Sequence, residues 1–157
     1  MDGAAGVWYD GDNVSVGEGS CLIRSIVRDV LFLGQKSETA DRADVAVGRD
    51  LRDTLRANRD KCVGMAANMI GVRKRIIIVG LGPMDLVMYN PEIIRCDTPY
   101  EAEEGCLSLD GTRRATRYQN IEVTWLDDDW KPRRQRFSGY IAQIIQHEVD
   151  HLNGVVI

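Results

Sequence analysis

The segment QHEVDHLNG, residues 146–154, holds both histidines of this 157-residue chain. They are His147 and His151, four residues apart, with Glu148 directly after the first. An α-helix turns once every 3.6 residues, so on a helix the two imidazoles share a face and can grip one cation. The carboxylate between them then reaches a water activated by that cation, the arrangement of an H-E-x-x-H metallohydrolase. The five-residue pattern fits equally well with two solvated histidines on an amphipathic helix. A third ligand is what separates the two readings.

That ligand has to lie upstream. A later histidine is excluded because none remains, and a glutamate from a following helix is excluded because no acidic residue follows His151. Cysteines and carboxylates are the candidates. The most suggestive context is EEGCLSLDG, where Cys106 stands beside Gly105, a residue that permits tight backbone approach. A thiolate with two imidazoles leaves one coordination position open for chemistry. The other cysteines, Cys21, Cys62 and Cys96, form no CxxC pair and no disulfide framework, and are expected to be small buried hydrophobes. An alternative makes Cys106 a nucleophile with a histidine base. It leaves the second histidine and Glu148 without roles.

Positioning these groups requires a helix at the end of the chain and a rigid support for Cys106. Ile141, Ile144, Ile145 and Val149 keep helical spacing around the histidines, and Ser138 with Gly139 marks the helix start. Upstream, Val47, Leu51 and Leu55 recur every four residues and predict an amphipathic helix. RIIIVG reads as a β-branched strand and DLVMYNPEII as a second, closed at Asn90-Pro91. The acidic YEAEEGCLSLDG follows, and IEVTWLDDDWKPRRQRF reads as two strands around a polar turn. Strands gathered between an early and a late helix, without βαβ alternation, predict a compact single α+β domain, its antiparallel strands packed around the C-terminal histidine helix. GLGPMD after RIIIVG is a broken dinucleotide fingerprint, with Asp85 in place of the third glycine.

Composition sets the outer bounds. With 44% hydrophobic and 28% charged residues the chain can bury a core, and no apolar run approaches a membrane span. The opening residues lack a basic start followed by an apolar stretch, so a cytoplasmic protein is expected. The net charge of −4 argues against specific nucleic-acid binding, although RKR, TRRATR and KPRRQR are local basic runs.

EGCLS and QHEVDHLNG together resemble the second and third motifs of the peptide deformylases. CVGMAANMIG, residues 62–71, resembles the first, and MYNPEI and TRRATRYQNIEV are also similar to that family. The resemblance covers residues 22–157, which leaves residues 1–19 as an expected loose N-terminal segment and 20–157 as the catalytic domain. It implies one divalent metal bound by Cys106, His147 and His151: ferrous iron in the cell, with zinc or nickel as substitutes. Irving–Williams affinity favours zinc, so supply and geometry share in the choice. The implied reaction removes the N-formyl group from the initiator methionine of nascent polypeptides, whose formyl-methionyl ends are the expected partners, near the ribosome. By the same resemblance the metal acidifies a water, and Glu148 takes its proton and later protonates the leaving amine. The Leu107 backbone N–H holds the oxyanion, and Val63, Gly64 and Gly105 line the peptide.

The chain departs from the family pattern at two positions. Met69 stands where the first motif has its glutamine, and a thioether cannot donate the hydrogen bond that helps hold the oxyanion. Cys62 replaces the motif's first glycine beside the substrate pocket. Weak turnover is the expectation, and a deformylase-like metal-binding protein without useful catalysis is the alternative.

Overall fold

The structure, a computed structural model, describes residues 7–10, 13–16 and 21–156, with side chains from residue 23 onward. The expected loose segment, 1–19, falls largely outside these residues. Its described parts, β1 (Val7–Asp10) and β2 (Asn13–Val16), pair antiparallel and continue into β3 (Cys21–Arg24) as a small three-stranded sheet.

A one-turn helix, α1 (Val30–Leu33), and a 3₁₀ turn at Arg42–Asp44 lead into α2 (Val45–Ala57). The expected amphipathic helix is therefore present. Its buried stripe consists of Gly48, Leu51, Thr54 and Leu55, while Val47 sits at the margin. Gly48 belongs to that stripe because the ring of Tyr89 crosses the helix there. A Cβ at Gly48 would stand 1.9 Å from the Tyr89 hydroxyl oxygen.

The main sheet is antiparallel, in the spatial order β4 (Gly64–Ala66), β5 (Ile76–Leu81), β6 (Met84–Cys106), β7 (Leu109–Leu126), β8 (Pro132–Ser138). Ile76, Ile77, Ile78 and Val79 of β5 are all fully buried. β-Branched side chains suit a pleated surface covered on both faces, which explains an unbroken apolar run in place of alternation. A second 3₁₀ turn, Ala67–Ile70, joins β4 to the loop before β5.

The strand expected to close at Asn90-Pro91 does not close. β6 runs on to Cys106, and register shifts at Tyr89/Glu92 and Ile93/Arg95 absorb the irregularity as bulges. Asn90 takes a positive φ of 53°, and its side chain both accepts from the Ala40 N–H at 2.8 Å and donates to the Ala40 carbonyl at 3.0 Å. It acts as a bracket to the preceding loop, so the strand continues past it. The acidic segment after it is the far end of this long strand, paired with β7 from Cys106↔Leu109 outward.

The last helix, α3 (Gly139–Leu152), packs on the sheet. Ser138 occupies the position before it without capping it. Its hydroxyl donates to Asn120 Oδ1 at 2.8 Å and ties β8 to β7. Among the described residues no helix is long and apolar enough to cross a membrane.

Candidate metal centre and cleft

α3 carries its chemistry on the buried side. His147 is 7% exposed, Glu148 4% and His151 not at all. Cys106 comes to the same point from the end of β6, where the hairpin turns into β7. Its Sγ lies 3.3 Å from His151 Nε2, and the two histidine Nε2 atoms lie 3.1 Å apart. All three donor atoms fall within 4.8 Å of one another. Around a tetrahedral cation with bonds of about 2.0–2.3 Å, neighbouring donors sit roughly 3.3–3.7 Å apart. One thiolate and two imidazoles at these separations fit a divalent cation with little adjustment. Glu148 Oε1 is buried without a hydrogen bond. A buried carboxylate oxygen in that state needs a proton-bearing partner such as a substrate water.

A polar scaffold behind the histidines was not read from the sequence. Glu104 Oε1 lies 2.8 Å from His147 Nδ1, which orients the ring so that Nε2 faces the other two donors. Arg117 holds Glu104 from two directions, Nε to Oε2 at 2.9 Å and Nη2 to Oε1 at 2.7 Å. Gln143 donates to the same Oε2 at 2.9 Å, and Arg117 Nη1 reaches Asp150 at 2.6 Å. Two spacings offered a signal. Glu104 is two residues before Cys106 on one strand, hence on the same face, and Asp150 is three after His147 on one helix. Arg117 gave none, because it sits inside a basic run that reads as solvated.

The electrostatics divide the acid–base roles. Burial pushes Glu148 up to about 7, with His147 opposing and Glu104 assisting, which suits a group that must both take and give a proton near neutrality. Burial drives His151 down to about 3, with His147 and Arg117 adding to the effect, so it is a neutral imidazole. For His147 burial acts downward, yet contacts with Cys106 and Glu104 outweigh it and lift the group to about 10. A proton there competes with a cation for the same nitrogen. Glu104 is held at about 2: burial pushes upward, and the bonds from His147, Arg117 and Gln143 more than reverse it.

Cys106, Glu104, His147 and Glu148 line an open cleft of about 650 Å³, with His151 buried and outside its lining. Val63, Gly64, Gly105 and Leu107 all line it, as do the two altered positions, Cys62 and Met69. Gly64 is required where it stands: a Cβ would lie 2.6 Å from Ile144 Cγ2 and 3.1 Å from Glu148 Oε2. Gly105 is different, since a Cβ there would meet only the Gly111 carbonyl at 3.7 Å, an ordinary contact. The chain itself does not demand glycine at that position. Leu107 is tied from outside, its carbonyl 3.4 Å from Arg28 Nη1, while Arg28 Nη2 pairs with Asp110 at 2.6 Å. Met69 is 1% exposed and folds its sulfur back to 3.4 Å from the Ala66 N–H.

The cysteine expectations need one correction. Cys62 is half-buried and lines the cleft, with its thiol raised to about 11 by burial, Glu148 and Cys106. Cys96, expected inside, is exposed on the long hairpin of β6 and β7. The side chain of Cys21 lies outside the described residues.

Comparison with known proteins agrees with this geometry. Residues 26–157 match the family model described as polypeptide deformylase. A peptide deformylase of Clostridium beijerinckii is 54% identical over 136 residues, 87% of this chain and all of that protein. One from Thermomicrobium roseum is 39% identical over 120 residues, 70% of this chain and 67% of its own length. Among solved structures, a class I type b peptide deformylase of Acinetobacter baumannii with Met-Ala-Ser bound superposes with a TM-score of 0.77 at 27% identity, covering 85% of this chain and 96% of that one. The Thermotoga maritima peptide deformylase gives the same TM-score, 0.77, also at 27% identity.

Proposed function

The chain belongs to the polypeptide deformylase family, metal-dependent hydrolases that remove formyl groups from nascent peptides, and from that premise we propose how its own residues carry out the reaction. Cys106, His147 and His151 hold one divalent cation, ferrous iron in the cell, with zinc or nickel able to take its place. When bound, that cation supplies Lewis-acid activation of water and of the formyl oxygen. Glu148 takes the proton of the attacking water as its oxygen bonds to the formyl carbon. It then delivers a proton to the nitrogen as the C–N bond breaks, releasing formate and a free amino terminus. The Leu107 N–H donates to the oxyanion. Gly64 of β4, the edge strand of the main sheet, and Val63 just before it line the cleft, an edge suited to an extended peptide.

The observation that carries this reading is the buried, unpartnered Oε1 of Glu148 beside three converging ligand atoms. The test is anaerobic formate release from a formyl-methionyl peptide by iron-loaded protein, with Glu148→Ala as control. Release that disappears with the substitution is the expected result. Release that survives it removes Glu148 from the mechanism.

Met69 sets the level of activity in this proposal. Its thioether occupies the position of the family glutamine and donates no hydrogen bond, so turnover is weak. A protein that binds metal and turns over nothing is the second reading, favoured by the same residue. A Cys106-nucleophile hydrolase shares the 3.3 Å contact with His151, but it predicts activity that survives chelation and stops on thiol alkylation. Action on nascent chains would place the protein in the cytoplasm near the ribosome. The basic runs contribute little to that placement. Arg117 is committed inside the protein, and Arg133 and Arg134 are paired with Asp127 and Glu122.

A further inference from the structure

We propose that Asn68 is a positioning residue for His151, an inference that rests on reading Cys106, His147 and His151 as the metal site. Asn68 lies in the 3₁₀ turn Ala67–Ile70, directly before Met69, and is fully buried. A primary amide is costly to bury unless its donors and its acceptor are used. Its Nδ2 donates to the His151 backbone carbonyl at 3.0 Å, joining residues 83 positions apart. That carbonyl belongs to the last turn of α3 and also accepts from the Gly154 N–H at 3.1 Å, so the amide is its second donor. Asn68 thus adds a side-chain tie to the end of the helix at the residue that supplies a ligand.

The remaining atoms of this pair are unmatched. Asn68 Oδ1 is buried without a hydrogen bond, and so is His151 Nδ1. When His151 offers Nε2 to a cation, the ring proton resides on Nδ1, which becomes a donor. One buried acceptor and one buried donor therefore stand on two side chains that a hydrogen bond already connects. Oδ1 accepts from Nδ1–H, either after a small rotation of the amide or through one bridging water. The result fixes the tautomer and ring plane of His151, as outer partners of metal-bound imidazoles do. His147 already has such a partner in Glu104. Asn68 completes the pair with a neutral group, so no second carboxylate is added beside Glu148.

The test uses zinc-loaded protein, in which the imidazole protons can be followed by NMR, together with zinc affinity measured against a chromophoric chelator. Wild type is expected to show a slowly exchanging His151 Nδ1–H resonance. Asn68→Leu, similar in size and without an acceptor, is expected to lose that resonance and about 10–100-fold in zinc affinity. Asn68→Gln keeps both the donor and the acceptor without a charge and is expected to retain more of both. Equal affinity and an unchanged resonance in Asn68→Leu overturn the proposal. So does an Asn68→Gln protein as impaired as Asn68→Leu, because the amide would then contribute nothing beyond packing. Should Asn68→Leu fail to fold, wild type still decides, since a His151 Nδ1–H that exchanges freely with solvent overturns the proposal. Wild-type protein that binds no zinc refutes the metal site itself, a result distinct from bound zinc that ignores Asn68.

Discussion

Glu148 depends on the absence of a side chain opposite it. Gly64→Ala would bring a methyl to 3.1 Å from its Oε2 and 2.6 Å from Ile144 Cγ2. The Ile144 branch methyl must give way, and the carboxylate has to shift by a few tenths of an ångström. We predict that Gly64→Ala lowers kcat on the order of 10²-fold, the effect of a misplaced catalytic group, while zinc affinity is unchanged. Unaltered kcat would show that the carboxylate tolerates the shift. Met69 makes the opposite prediction. Its sulfur is a weak acceptor for Ala66 N–H, and one restored oxyanion donor is worth roughly 10²–10³ in turnover. Met69→Gln is expected to raise formate release toward that range, and a flat result would sink the missing-donor account.

At the level of elements, β6 and α3 meet through a buried ionic lattice. Arg117 and Glu104 are 4% and 6% exposed at their side chains, and each arginine nitrogen that bonds Glu104 also holds the His147 orientation indirectly. Removing one partner of a buried pair leaves an uncompensated charge, which costs about 3–5 kcal/mol. Arg117→Met is therefore predicted to lower unfolding free energy in urea by about that amount and to weaken zinc binding. A variant as stable as wild type would mean that Gln143 and His147 suffice for Glu104. The bulged course of β6 belongs to the same scale. By continuing past Asn90 and Pro91, the strand reaches far enough to deliver Glu104 and Cys106 under the helix.

For the whole molecule, the differing placement of two cysteines is testable in one experiment. Cys62 has its thiol raised to about 11, chiefly by burial. A thiol with a raised pKa stays protonated below that value, so at pH 8 Cys62 carries almost no thiolate and gains reactivity only as pH climbs toward about 11. Cys96 is exposed. Brief maleimide treatment of metal-loaded protein at pH 8, read by peptide mass spectrometry, is predicted to label Cys96 and spare Cys62. Comparable labelling of both would mean that the cleft opens more than the packing around Cys62 suggests.

The sequence by itself determined the parts that depend on local spacing. The i, i+4 histidines, the helical apolar stripe around them, the β-branched run of β5 and the α+β class are all written in short windows. Cys106 could be narrowed to a leading candidate because so few other ligands remained. Tertiary structure alone decided which distant groups would serve them. Arg117 looked solvated because its neighbours in sequence are basic, and only the β6–β7 pairing turns it onto Glu104. Asn90 looked like a strand end because turn chemistry favours asparagine before proline, and only the packed loop at Ala40 offers its amide two backbone partners. Asn68 has no local pattern that marks it, since its hydrogen bond joins residues 83 positions apart. Local periodicity reports which face of an element is apolar. The partner of a buried polar group is fixed by how the elements meet in space.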